Sequence, residues 1–295
     1  MEAYLKPEED GLPMRKSGKW VSAKLDYLER YLAIFGKSMR DKPWRARHYI
    51  DLFAGPGKCL VQETNAIHLG STLLALTTPY PFTGYFFVDL EARNVAALKE
   101  RCSASRHHSQ TRFHTGDSNI AVRQIVDQIV AVDRQYLPGK WSSLNLAFLD
   151  PEGLELHWST VACLASVGRM DLIINYPQGG LNRFMPKAIK QDGETVVDTF
   201  FGSRDWRSIY AEYLVSRGSG LHGQLIDLYK GKLLALGYVE VRRDDEVGDE
   251  PLIRNSQRNA PLYRLLFASK HELGEKFWQD VTRRDVHGQR RLFDA

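Results

Sequence analysis

The stretch HYIDLFAGPG, His48 to Gly57, decides how this chain is read. An apolar run ends on an acid, Asp51, and passes through Leu52, Phe53 and Ala54 into a turn holding Gly55 and Gly57. Glycine adopts backbone angles closed to other residues and lets a ligand approach the main chain closely. An acid, an aromatic and two glycines directly after an apolar strand point to a ligand loop at that strand's carboxyl end. The dinucleotide fingerprint G-x-G-x-x-G is incomplete, because position 60 is Leu60. A Walker phosphate loop is excluded: Cys59 follows Lys58 where Ser or Thr is required, and the loop is too short. A tight strand-to-helix turn without a ligand is the alternative.

Working outward, the same rhythm recurs. The apolar runs GYFFVDL (84–90), TRFHT (111–115), LNLAFLD (144–150) and MDLIINY (170–176) alternate with helix-like stretches. These stretches are Ser71 to Leu76, Arg93 to Cys102, Ile120 to Val132 and Trp158 to Val167. Strands of unbroken apolarity alternating with helices predict a parallel sheet covered on both faces, hence an α/β doubly wound, Rossmann-like fold. Ahead of it lie a loose polar arm, residues 1–17, and a helix from Trp20 to Phe35 with Gly36 as its stop. After Pro177 the rhythm breaks. Residues 178–222 read as a helical insertion above the sheet's carboxyl edge. A helix (Gly223 to Leu236), a strand (Gly237 to Val241), a polar loop (242–260), a strand (Pro261 to Ser269) and a closing helix (Leu273 to Val281) complete a seven-stranded reading. Its last two strands form a hairpin.

In a doubly wound sheet, ligands sit outside the carboxyl ends of the strands. Asp89 ends the second strand, 38 residues after Asp51, where an acid accepts hydrogen bonds from ribose hydroxyls. Glu91 is its competitor, and capping of the next helix is its alternative role. Asp117, in GDSN (116–119), reads equally as an acid reaching an adenine amino group and as a helix start. The fourth strand ends in Asp150, Pro151, Glu152 and Gly153. This places a carboxylate at the crevice, a stiff turn behind it, and a second acid able to position an acceptor amine or take its proton. Asn175, Tyr176 and Pro177 are expected beside Asp150, with Tyr176 as a stacking surface for a planar group or as a plain core tyrosine.

Composition sets the outer limits. A chain of 295 residues with 43% hydrophobic and 26% charged residues fits one or two globular domains and not a disordered or fibrous chain. No run approaches the roughly 18 apolar residues of a membrane span. The first twenty residues lack the apolar core of a secretory signal, so the cytoplasm is the expected location. Cys59, Cys102 and Cys163 are too scattered for a disulfide framework or a zinc site, and the histidines show no metal-ligand spacing. The absence of Gly-x-Ser-x-Gly removes support for a nucleophile-elbow hydrolase. Net charge is +4, with ten Lys/Arg against three Asp/Glu from Arg15 to Arg47 and a basic tail from Arg283 to Arg291. Such a segment suits a phosphate backbone or a plain solvated surface.

Taken together, these motifs resemble class I S-adenosylmethionine-dependent methyltransferases, whose sheet ends in an antiparallel hairpin. More narrowly, the chain resembles the bacterial three-Cys-motif partner protein family. The pieces that carry the likeness are Trp20, Lys24 and Leu25, then YIDLFAGPG (49–57), GSTLLAL (70–76), FFVDLE (86–91), GDSN (116–119), LAFLDPEGL (146–154) and MDLIINYPQGGLNR (170–183). The resemblance implies an arm and helix over residues 1–46 and a methyltransferase-like domain over residues 47–295. It implies S-adenosylmethionine as ligand and a partner with a three-cysteine motif. Asp51, Phe53, Ala54, Gly55 and Gly57 would surround the methionine part, Asp89 the ribose and Asp117 the adenine. Asp150, Pro151, Glu152 and Tyr176 would face the acceptor. Base amino-methyltransferases usually carry Pro-Pro and an aromatic after the acid, whereas this chain has Pro-Glu-Gly, leaving Tyr176 or Trp158 as substitutes. No cysteine follows a proline, which argues against 5-methylcytosine chemistry. Three readings remain: a methyltransferase acting on nucleic acid or a partner-bound substrate, an inactive S-adenosylmethionine-binding partner subunit, and a nucleotide-processing enzyme such as a nuclease or dehydrogenase. The lack of a metal cluster weakens the nuclease, and the hairpin end of the sheet weakens the dehydrogenase.

Overall fold

The computed structural model describes residues 2–135, 142–216, 218–239 and 250–284. After a 3-10 turn at Glu2–Leu5 come β1 (Arg15–Ser17), α1 (Trp20–Met39), β2 (Ala46–Asp51), β3 (Lys58–Val61), β4 (Ile67–Leu69) and α2 (Ser71–Thr77). The middle of the chain holds β5 (Gly84–Asp89), α3 (Ala92–Ser103), β6 (Thr111–Thr115), α4 (Ser118–Arg134), β7 (Ser143–Leu149), α5 (Trp158–Ala165) and β8 (Met170–Tyr176). Then follow α6 (Gln178–Ala188), α7 (Val196–Phe201), α8 (Trp206–Ser216), α9 (Leu221–Ala235), β9 (Leu252–Arg254), β10 (Pro261–Ala268) and α10 (Glu272–Thr282).

The main sheet runs β6-β5-β2-β7-β8-β10-β9. The first five of these strands are parallel, and β10 is antiparallel to both β8 and β9. This is the expected Rossmann-like, mostly parallel seven-stranded sheet, with an antiparallel hairpin end. The strand order reverses at β2, which places a crevice at its carboxyl end.

Successive strand residues point to opposite faces, so each strand feeds two cores. Ile50, Val88, Ala147, Leu149, Leu172 and Ile174 pack against α4 to α9. Tyr49, Phe87, Leu146, Phe148, Ile173 and Leu265 pack against α1, α2, α3 and α10. Helix α1 joins the second core because Leu28, Tyr31, Leu32 and Phe35 recur at helical spacing and all are buried in it.

Five expectations change. Gly36 does not stop α1, which runs to Met39; a Cβ at Gly36 would come within 2.5 Å of Tyr80, so the glycine admits a close contact. The turn after β2 leads into the β3–β4 hairpin rather than a helix. The arm is not loose: β1 pairs in parallel with β3. The insertion does not roof the carboxyl edge. Its Leu181, Met185, Phe200, Phe201 and Trp206 are wholly buried in the first core. The partner strand of β10 is β9, inside the expected polar loop. Gly237 to Val239 are not in a strand, although the Val239 amide donates to the Ser269 carbonyl at 2.9 Å. The rest of that expected strand, residues 242–249 of the loop, and the basic tail beyond Arg284 lie outside the described residues. Among the described residues, no helix is long and apolar enough to cross a membrane.

Candidate functional site

A cleft of about 830 Å³ runs along the carboxyl ends of β2, β5, β6 and β7. That volume suits a nucleoside-sized ligand, since small-molecule sites span roughly 300–1,000 Å³. Phe53, Gly55, Asp89, Asp117, Asp150 and Glu152 all line it. A small cavity of about 30 Å³ adjoins it under the glycine turn, touching Ala54, Gly57, Ser71 and Lys24.

The turn is held open by backbone contacts. The Ala54 amide donates to the Val88 carbonyl at 2.8 Å, and the Gly55 amide to Asp89 Oδ2 at 2.8 Å. Gly55 and Gly57 have φ of +58° and +96°, which side-chain-bearing residues rarely adopt. A Cβ at Gly55 would meet nothing within 4 Å, because the backbone there faces the cleft. A Cβ at Gly57 would lie 2.9 Å from Leu98, so that glycine serves packing.

Asp89 also accepts the Glu91 amide at 2.9 Å and the Asn94 side-chain amide at 3.0 Å, both on Oδ1. A carboxylate has about four acceptor positions, so one on Oδ2 stays open for a hydroxyl donor. Asp117 caps α4 by accepting the Asn119 amide at 2.8 Å, and it lines the cleft as well, so both of its expected roles are compatible. Asn119 ties the two sides together. Its Nδ2 donates to the Glu155 carbonyl at 2.9 Å, and its Oδ1 accepts from the His157 amide at 3.0 Å.

Across the cleft, Asp150 Oδ2 pairs with the Lys24 ammonium and Oδ1 accepts from Asn175 Nδ2 at 2.7 Å. Lys24 reaches in from α1, its ammonium 5.5 Å from the centre of the Tyr263 ring. The Asn175 Oδ1 and the Tyr263 hydroxyl are buried without partners among the described residues. Glu152 is exposed and pairs with Arg15 of the arm at 2.7 Å. Pro151 is buried and does not line the cleft. Asp51 lies wholly buried behind the turn, accepting the Phe53 amide at 3.2 Å. Burial pushes its carboxyl up to about 7, with Asp150 adding to the rise and Ser71, the Phe53 amide and Lys24 opposing it.

Tyr176 is misplaced by the sequence reading. Alternation turns it to the opposite face from Asn175, where it is fully buried edge-on to Phe200, its hydroxyl 3.2 Å from His222 Nδ1. Trp158 packs edge-on to Tyr229 on that same face. Neither lines the cleft. Strand parity already separates residues 175 and 176, and it was the signal available. Arg15 had no such signal, since three residues of an edge strand leave no period. Among the described residues, no group of three or more His, Cys, Asp or Glu could hold a metal ion.

No protein-family model and no curated protein matches the chain. Solved structures similar to it include a putative RNA methyltransferase from Pyrococcus horikoshii, at 10% identity and TM-score 0.39 over 88% of this chain and 92% of that one. Another is an O-methyltransferase of tomaymycin synthesis from Streptomyces achromogenes in complex with S-adenosylmethionine, at 11% identity and TM-score 0.39 over 86% and 88%. A third is a putative S-adenosylmethionine-dependent methyltransferase from Listeria monocytogenes, at 11% identity and TM-score 0.37 over 83% and 99%.

Proposed function

We propose that this chain is an S-adenosylmethionine-dependent methyltransferase acting on nucleic acid or on a substrate held by a partner protein. The observation that carries the reading is the Gly55–Asp89 contact at the mouth of an 830 Å³ cleft, at the point where strand order reverses. The residues fit the ligand. Asp89 keeps an acceptor position for a ribose hydroxyl, Asp117 lies further along the cleft, and Gly55 opens its backbone to close approach. Phe53, Ala54 and Gly57 shape the turn beside it, and Asp51 supports it from behind. When bound, S-adenosylmethionine supplies an electrophilic methyl group. The protein's task is then alignment of donor and acceptor. Asp150, fixed by Lys24 and Asn175, orients an acceptor at the cleft, and exposed Glu152, paired with Arg15, is the second carboxylate that takes its proton.

One observation favours a second reading, a donor-binding subunit without transfer. Both Asp150 oxygens are already engaged within the chain. Under either reading the proposed partner is a three-cysteine-motif protein, from the resemblance of the sequence. The proposed compartment is the cytoplasm, where Cys59, Cys102 and Cys163 would stay reduced.

Calorimetric titration with S-adenosylmethionine tests the donor site. Binding by the wild type and a loss of about 100-fold in Asp89→Ala are expected, since hydrogen bonds to a charged group are worth about 1.5–3 kcal/mol. Labelled methyl transfer in the presence of the partner then separates the readings. Transfer supports the enzyme, and a tight complex without transfer supports the subunit. Failure to bind S-adenosylmethionine with and without the partner overturns both.

A further inference from the structure

The proposed function uses none of the first seventeen residues, yet Pro13, Met14, Arg15 and Lys16 form a wall of the cleft. A buried three-ion cluster holds them there. Asp10 takes Arg101 through Nε and Nη2 at 2.8 and 2.7 Å, and Lys58 Nζ at 2.8 Å. All three side chains are shut off from solvent. Lys58 spends its other two protons on the carbonyls of Ala3 and Glu8, at 2.6 and 2.7 Å. Arg101 spends its other three on Leu12, Pro13 and Pro56, at 3.2, 2.8 and 2.5 Å. Every donor of both cations is therefore satisfied. Burial alone would raise the Asp10 carboxyl, but Arg101 and Lys58 hold it well below the usual carboxylate range.

The partners show what the cluster does. Ala3, Glu8, Leu12 and Pro13 belong to the arm, whereas Pro56 and Lys58 belong to the glycine turn and the strand it enters. The cluster clamps one to the other, and β1 pairing with β3 continues the clamp. Arg15 leaves that clamp to line both cavities, as Gly55 does. Its carboxylate partner, Glu152, has a side chain that is 75% exposed. The pair is open to solvent on the glutamate side, where screening weakens it, so the half-buried guanidinium can exchange Glu152 for another carboxylate. A guanidinium fork matches a carboxylate in two parallel hydrogen bonds.

We propose that Asp10 is a positioning residue of the donor site, locking the arm so that Arg15 reads the carboxylate of the donor's amino-acid part. This rests on the reading of the cleft as an S-adenosylmethionine site. It assigns the arm to ligand selection: nucleosides without the amino-acid part are bound without help from Arg15.

Calorimetry on the full chain with two ligands tests it, S-adenosylmethionine and 5′-methylthioadenosine, which keeps the nucleoside and sulfur but lacks the carboxylate. Arg15→Gln is expected to weaken S-adenosylmethionine about tenfold or more through loss of the charged fork, with methylthioadenosine held within about twofold. Arg15→Lys should recover part of the loss. Asp10→Asn should give the same ligand-selective loss and add nothing when combined with Arg15→Gln, since one residue acts through the other. Should Asp10→Asn fail to fold, Asp10→Glu, which keeps the charge and changes its reach, replaces it. Equal losses for both ligands, no loss in Arg15→Gln, or additive losses in the double variant overturn the proposal. A wild type that binds neither ligand removes the donor reading itself, an outcome distinct from these.

Discussion

The two flanks of the cleft hold their acids by opposite means. At the ends of β5 and β6, Asp89 and Asp117 rest on neutral donors, namely the amides of Gly55, Glu91 and Asn119 and the side chain of Asn94. Among the described residues neither forms a salt bridge, and both line the cavity. At the end of β7, Asp150 is cancelled by an ammonium from α1 and pinned by Asn175. The same residue type, at the carboxyl end of a parallel strand, is thus left open to the cleft on one flank and is half of an internal ion pair on the other. Position in the fold does not assign the role; the donors that meet the carboxylate do.

The sharpest break of this contrast is Lys24→Met. It leaves the Asp150 carboxylate buried without its counter-charge, and removing one partner of such a pair costs about 3–5 kcal/mol. The protein should still fold, because α1 also buries Leu25, Leu28, Tyr31, Leu32 and Phe35, each contributing about 1.5–3 kcal/mol. Adding Asp150→Asn should return stability to within about 1 kcal/mol of wild type, since the unpaired charge is then gone. Urea unfolding measures both. A cost below about 1 kcal/mol for Lys24→Met would mean that the two flanks do not differ in kind.

A second effect is smaller and depends on pH. The Asp51 carboxyl is raised by burial from its ordinary 3.8 to about 7. The native state therefore binds this proton more tightly than the unfolded chain does. Its contribution to stability is full below about pH 4 and is lost as pH rises through about 7. In Asp51→Asn the fall in stability between pH 4 and 8 should be shallower by about 1–3 kcal/mol, read from thermal or urea melts at several pH values. Asp171, raised by burial to about 6, acts in the same direction and is common to both proteins. An unchanged slope would place the titration elsewhere.

The smallest effect sharpens the contrast by exclusion. Tyr176→Phe removes only the hydroxyl contact to His222, worth about 1 kcal/mol. Donor affinity and any methyl transfer should be unchanged. A loss of either would return Tyr176 to the acceptor side of the cleft.

The sheet was legible because β5, β7 and β8 are rich in apolar residues over most of their length and the glycine turn marks the carboxyl end of β2. Asp89, Asp117 and Asp150 were legible because a parallel strand delivers the residues at its carboxyl end to the crevice. The β3–β4 hairpin and β9 were not, since strands of three or four residues carry too few positions to show a period. Asp10 was invisible for another reason. Its partners are 48 and 91 residues away, and a long-range ion cluster leaves no mark on neighbouring sequence. The insertion was misplaced because its apolar residues, Phe200, Phe201 and Trp206 among them, show that it is buried but not against which face.

The strand order also sets a timetable for synthesis. β2 is the first strand of the main sheet to be made and is flanked by β5 on one edge and β7 on the other. At about 5–20 residues per second, the ribosome reaches β7 roughly 5–20 seconds after finishing β2. Throughout that interval one edge of this interior strand has no neighbour, and an open apolar edge is a template for pairing with another chain. The nascent protein is thus most prone to aggregation after β5 and β6 have emerged and before β7 closes the gap. A pause in translation inside that window should lower yield more than the same pause anywhere later in the chain.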